Sequence, residues 1–237
     1  YLLTFSFRQD GSSKFGKDNK WAGFPSAAVA WKISNESFLK DVVNHQLTVN
    51  LDQGVFRDLT IANPNTMEMH YNITTRPGYL MITGDMGDFI FKRTNDMFGF
   101  FRPESGYYIN PSYWGEKVEA GVIREFDVDT ANSSVQGYLT NFLEDLDLSD
   151  PEDREKSKQA LKAVSDFISG TQGSGEFDFW NEINSWDADD AGGLDLTDFF
   201  ESTTTKATYH YIWCCYAIVH AIKLYDADMP KERGHEK

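Results

Sequence analysis

The sequence predicts an α+β protein, an N-terminal antiparallel β-meander packed on a C-terminal helical bundle, and three observations support that expectation. Between residues 45 and 93, apolar side chains recur at alternate positions in short runs, the period of strands with one buried face. After Asn95 the spacing changes to three and four, the period of helices. The run YIWCCYAIVHAI is apolar on nearly every side, as suits a helix in the middle of a core. A sheet half followed by a helical half is α+β organisation.

The strands follow in order. HQLTVNL (45–51) and VFRDLTI (55–61) flank Asp52-Gln53-Gly54, a short hairpin connection with glycine where a positive φ is wanted. MHYNIT (69–74) and YLMIT (79–83) are joined by a turn containing Pro77-Gly78, and FIFKR (89–93) follows the Gly84-Asp85-Met86-Gly87 turn. Asp96–Phe101 is a short apolar turn whose Met97, Phe98, Phe100 and Phe101 belong under the sheet. Asn110 caps a helix with Pro111 at its first position. Asp129 is placed to cap a helix whose apolar face carries Leu139, Phe142, Leu143 and Leu146. Asp150-Pro151-Glu152-Asp153 starts the next helix, with Leu161, Val164 and Ile168 on its buried side and Gly170 at its end. Residues 171–175 form a loop, Phe177–Trp186 a short helix, and about 205–226 a long one.

Residues 1–33, with GSSKFGKDNK at 11–20, read as a flexible basic N-terminal segment of processed, truncated or artificial origin. Residues 34–237 then form a single α+β domain, with a sheet half at 45–93 and an acidic helical half at 95–226. The chain of 237 residues, 41% hydrophobic and 15% aromatic, can bury a core without disulfide or metal support. Its two cysteines, Cys214 and Cys215, are adjacent and make no disulfide framework; they read as buried thiols. An apolar run of about 18 residues is lacking, as is the residue order of a signal peptide, so the sequence reads as cytosolic.

The net charge of −15 is concentrated. Residues 1–33 carry five basic and two acidic groups, 34–125 eight and twelve, 126–202 four and nineteen, and 203–237 five and four. The third segment alone equals the charge of the whole chain. Such a field repels nucleic acid and membranes and steers a protein toward basic surfaces. Nucleic-acid binding is disfavoured, because phosphate contacts need Lys and Arg.

Two patterns invite metal chemistry. In Asp187–Asp198 the first, third, sixth, eighth and ninth positions of an EF-hand loop are filled, but the fifth is Ala191 and the twelfth the short Asp198. An acidic surface loop with a helix cap explains these residues better. A metal-dependent hydrolase would draw on His70, Asp85 and Asp88, yet Asp85 and Asp88 flank a tight turn, where aspartate is ordinary. No phosphate-binding glycine loop, nucleophile elbow or zinc arrangement occurs. The chain is therefore read as a binding protein and not an enzyme, with no catalytic residue, cofactor or metal assigned.

The stretch ITTRPGYLMITGDMGDFIFKRTNDMFGFFR (73–102) resembles a family of uncharacterised proteins of tailed bacteriophages and prophages. The similarity extends through HQLTVNLDQGVFRDL (45–59), INPSYWGEKVEA (109–120) and YHYIWCCYAIVHAIKLYD (209–226), covering about 34–237. The resemblance implies a phage origin and a host-cytoplasm location, and brings no activity with it. Together with the charge it yields the expected function: an acidic inhibitor of host defence or nucleic-acid machinery, of anti-CRISPR or anti-restriction type, acting as a DNA mimic. Asp147, Asp150, Glu152, Asp153, Asp187, Asp189, Asp190, Asp195 and Asp198 are the expected partner-binding residues, docking on the basic groove of a host protein complex without direct contact to nucleic acid or membrane. The alternatives are the metal-dependent hydrolase and a phage structural or assembly protein.

Overall fold

Alternation of apolar and polar residues is visible from the first strand onward. The structure, a computed structural model, describes residues 2–11, 21–30 and 38–228, the first two stretches as backbone only. Leu2–Gly11 (β1) and Trp21–Ala30 (β2) pair antiparallel, with Leu2 opposite Ala30. They lie within the segment read as flexible; Leu3, Phe5 and Phe7 alternate with Thr4, Ser6 and Arg8, a strand period. The stretch 12–20 between them lies outside the described residues.

The main sheet has six strands in sequence order: β3 (Gln46–Gln53), β4 (Phe56–Asn63), β5 (Thr66–Arg76), β6 (Tyr79–Gly84), β7 (Phe89–Lys92) and β8 (Val118–Ala120). With the helices that follow, this is the expected α+β architecture. Five strands stand where the alternation predicted them. The sixth, β8, returns after two short helices, α1 (Met97–Phe101) and α2 (Pro111–Gly115), and pairs antiparallel with β7. Three residues are too few to display a period.

The chain divides into two compact units, Tyr1–Met86 with Thr94–Ile109 and Cys215–Lys237, and Gly87–Arg93 with Asn110–Cys214. In the first unit, Leu59, Ile73 and Ile82 lie side by side across β4, β5 and β6, and Ile61 lies opposite Tyr71; all are buried. Each such aliphatic side chain contributes about 1.5–3 kcal/mol when buried. The other face of these strands is polar. Thr60 Oγ1 accepts from Asn50 Nδ2 at 2.9 Å and donates to Asn72 Oδ1 at 2.8 Å. Gly84 is required where β6 ends, because a Cβ there would lie 2.3 Å from the His70 carbonyl oxygen.

In the second unit the helices α3 (Val128–Glu144), α4 (Pro151–Thr171) and α5 (Glu176–Asn184) enclose an apolar cluster. Phe179 is its centre, with ring centroids of Phe126, Phe167, Trp180 and Phe199 at 5.4–5.9 Å. Asp150 caps α4 and Pro151 opens it, as the sequence predicts. Several details differ. Asp127, not Asp129, caps α3 by accepting from Thr130 N–H. Leu161 is 48% exposed, and Gly170 lies inside α4, which runs one residue further to Thr171.

The last helix, α6, spans Tyr209–Asp228, and its run from Trp213 to Ile222 is buried. It begins later than expected. Thr205–Ala207 instead form β10, antiparallel to β9 (Arg124–Phe126), with Arg124 Nη2 donating to the Thr205 carbonyl at 2.7 Å. The β-branched run Thr203-Thr204-Thr205 favours that extended state.

Candidate functional site

The expected acidic residues occupy two runs of the second unit. In the first, the chain must turn sharply from α3 into α4, and its carboxylates do that work locally. Asp147 accepts from the Ser149 N–H at 2.9 Å and hydroxyl at 2.7 Å, bonds that hold its carboxyl below the ordinary range. Asp150 accepts from Glu152 N–H at 2.9 Å, and Asp153 from Asp147 N–H at 3.0 Å. Lys156 sits 2.9 Å from Glu152 and 3.4 Å from Asp153.

In the second run, Asp187 accepts from Asp189 N–H at 2.9 Å. Asp195 accepts from the Thr197 hydroxyl and N–H, which likewise hold it below the usual range. Asp198 precedes a 3-10 turn at Phe199–Glu201 without a side-chain cap bond. Gly192 joins the two runs in space: its φ is 66°, and a Cβ would lie 2.5 Å from the Lys156 carbonyl oxygen. The second run therefore lies against α4, one turn beyond Glu152 and Asp153. All nine expected residues are exposed except the half-buried Asp153.

The same contact explains why the EF-hand spacing is misleading. Ala191, Leu194 and Leu196 are buried in the apolar cluster, and Trp186 Nε1 donates to the Leu194 carbonyl at 2.8 Å. The loop's middle is core, and its glycine serves close packing. Among the described residues, no group of three or more His, Cys, Asp or Glu side chains is placed to hold a metal ion.

The residues weighed for hydrolysis have other surroundings. His70 Nδ1 lies 3.0 Å from Asp85 Oδ1 and 2.9 Å from the Met67 carbonyl, while Asp85 N–H donates to the His70 carbonyl. That pair ties one end of the β5–β6 hairpin. Asp88 belongs to the other unit. Cys214 and Cys215 are buried, and burial, followed by the charge of Asp88, pushes the Cys214 thiol up to about 12. A thiol so disposed is a poor nucleophile.

Sequence reasoning missed a cleft of about 470 Å³ in the second unit, whose lining includes Asp88, Phe89, Val122, Glu125, Tyr209 and His210. The residues come from three separated segments. Only the glycines at 87 and 121, both with positive φ, hinted that the chain bends there.

No known protein-family profile matches the chain, and no solved structure does. Among curated proteins it is 55% identical over 56 residues to the TonB-dependent receptor SusC of Bacteroides thetaiotaomicron, covering 23% of this chain and 6% of that one. Two TonB-dependent receptors of Formosa agariphila match at 58% over 41 residues and 37% over 73 residues, covering 17% and 27% of this chain and 4% and 7% of theirs. The chain thus spans only 4–7% of the length of these relatives. They are TonB-dependent receptors of bacteria, which corrects two expectations. The phage anti-defence inhibitor acting as a DNA mimic, with its hydrolase and phage-structural alternatives, is not what the chain's relatives are. A host-cytoplasm location is likewise at odds with them.

Proposed function

We propose that the second unit is a non-catalytic protein-binding module that presents its acidic end to the basic groove of a partner protein. The observation that supports this reading is the packing of Gly192 on Lys156, which gathers both acidic runs at one end of α4. Nineteen acidic groups face four basic ones over 126–202, and Lys156 and Lys158 among the four already pair with neighbouring acids. The uncompensated charge favours a cationic partner and speeds encounter with it. The likeness to TonB-dependent receptors makes the bacterial envelope the setting in which to seek that partner. The resemblance of residues 34–237 to an uncharacterised phage and prophage family also remains a proposal, and it adds no activity.

A second reading is favoured by the matches alone: part of the chain is a receptor segment that serves a TonB-dependent assembly. One experiment separates the two. Partners captured by the full chain from envelope extracts are compared with those of D147N/E152Q/D187N/D189N/D190N, at about 0.15 M and about 1 M salt, where the Debye length falls from about 8 to about 3 Å. A control neutralises Glu68, Glu104, Glu119, Asp166 and Asp228. The first reading expects loss with the first set and at high salt, and retention with the control. A partner retained by the first set at high salt overturns it, and recovery of TonB in that way favours the second.

A further inference from the structure

The cleft of the second unit is built by a few local constraints. Thr208 N–H donates to the Ile123 carbonyl at 3.0 Å, and its hydroxyl donates to the Val122 carbonyl at 3.0 Å. The same hydroxyl accepts from Tyr211 N–H at 3.2 Å, so the start of α6 is locked to the loop at 121–123. Gly121, at φ 122°, lets this loop close over Phe89; a Cβ there would lie 2.3 Å from the ring. Phe89 is buried, with the Tyr211 ring behind it at 5.6 Å. Asp88, Glu125, Tyr209, His210 and Val122 remain exposed around the opening.

We propose that this cleft binds an organic cation, an ammonium or guanidinium group on a short apolar stem. Among the described residues its lining holds two carboxylates and no lysine or arginine. Carboxylates form charge-assisted hydrogen bonds to such groups, while Tyr209 and Val122 offer the aromatic and apolar surface that a stem needs. The volume of about 470 Å³ lies within the range of small-ligand sites. An anion is the competing class, because a helix N-terminus carries about half a positive charge. Two formal carboxylates outweigh that half charge, and the Thr208 hydroxyl already caps one of the N–H groups. Lys206 lies across the strand pair from Glu125 but is held by Asp127 at 2.8 Å. These residues lie outside the two acidic runs, so the inference stands or falls separately from the module proposed above.

The test is an amide chemical-shift titration of the isotope-labelled full chain. The probes are butylguanidinium as a free cation, the blocked peptide Gly-Arg-Gly as a chain-borne one, its citrulline counterpart as a neutral isostere, and butyrate as an anion. Saturable shifts are expected at Gly121, Val122, Glu125 and His210, roughly ten-fold weaker affinity for citrulline, and a similar loss in D88N and in E125Q. Tighter binding of butylguanidinium than of the peptide identifies a small-molecule ligand, and the reverse a basic side chain; either supports the site. Glu125 is exposed, so E125Q keeps the test valid if D88N fails to fold. Equal binding of arginine and citrulline, preferential binding of butyrate, unchanged affinity in E125Q, or absence of saturable shifts overturns the proposal.

Discussion

Arg57 and Asp96, 39 residues apart in sequence, are joined by two hydrogen bonds of 2.9 and 3.3 Å, and the guanidinium lies 4.5 Å over the Phe98 ring and 5.5 Å over that of Tyr225. Asp96 also accepts from Phe98 N–H and so caps α1. One carboxylate thus fastens β4 to the turn that follows the sheet. Burial pushes its pKa up, and the bonds and charge of Arg57 more than offset this, leaving it below the ordinary range. D96A is expected to cost about 2–3 kcal/mol, with D96N milder because Asn also caps. Denaturant melts of D96A, R57M and the double variant measure the coupling, and strict additivity would show that the pair contributes nothing.

Because the Asp96 pKa is depressed on folding, its contribution is present above the unfolded value of about 3.9 and is lost as pH falls through the folded one. The wild type is expected to lose stability below about pH 4 more steeply than D96N. Parallel acid limbs in the two proteins would contradict the assignment.

His220 governs a higher pH window. Burial, and then the charge of His45, lowers its pKa to about 4 from the ordinary 6.5, and its Nδ1 shares a 2.7 Å hydrogen bond with the Tyr71 hydroxyl. Between those values the unfolded chain takes up a proton that the folded chain refuses. Its contribution is therefore fully present above pH 6.5 and falls away toward pH 4, by about 3 kcal/mol at most. H220Q is expected to flatten the stability profile across this range; an unchanged slope would show that other groups set it.

Glycine substitutions distinguish the packed loop from a free helix surface. G192A must push a Cβ against the Lys156 carbonyl from a positive φ, and is expected to cost about 1–3 kcal/mol. Gly137, inside α3, has open space where a Cβ would stand, so G137A is expected to gain about 0.5–1 kcal/mol. Thermal melts read both signs, and a neutral G192A would mean that the loop does not rest on α4.

At the start of α4, D150A is expected to cost about 1 kcal/mol, whereas D150N should be nearly neutral because Asn caps as well as Asp. Equal losses in the two variants would show that charge, not the bond to Glu152 N–H, matters there. The Asn and Gln substitutions chosen for the acidic runs follow the same logic, removing charge while leaving turn-forming oxygens in place.

The sequence by itself determined the elements whose signals are local: the alternating strands between 45 and 93, the caps at Asn110 and Asp150, and the burial of the apolar run in α6. Period and capping act over a few residues, so they can be read without knowing what lies opposite. Tertiary structure alone decided the rest. β8 and β10 exist because distant partners supply their hydrogen bonds, and Thr205–Ala207 yields to Arg124 where periodicity pointed to helix. Residues 187–198 match part of an EF-hand spacing in sequence, yet Ala191, Leu194 and Leu196 within them are core, with the α4 backbone packed on Gly192. The excess of acid was legible from composition, but its gathering at one end of α4 was not. Nor was the cleft at Asp88, Glu125 and His210, because residues far apart in a chain become neighbours only when packing brings their segments together.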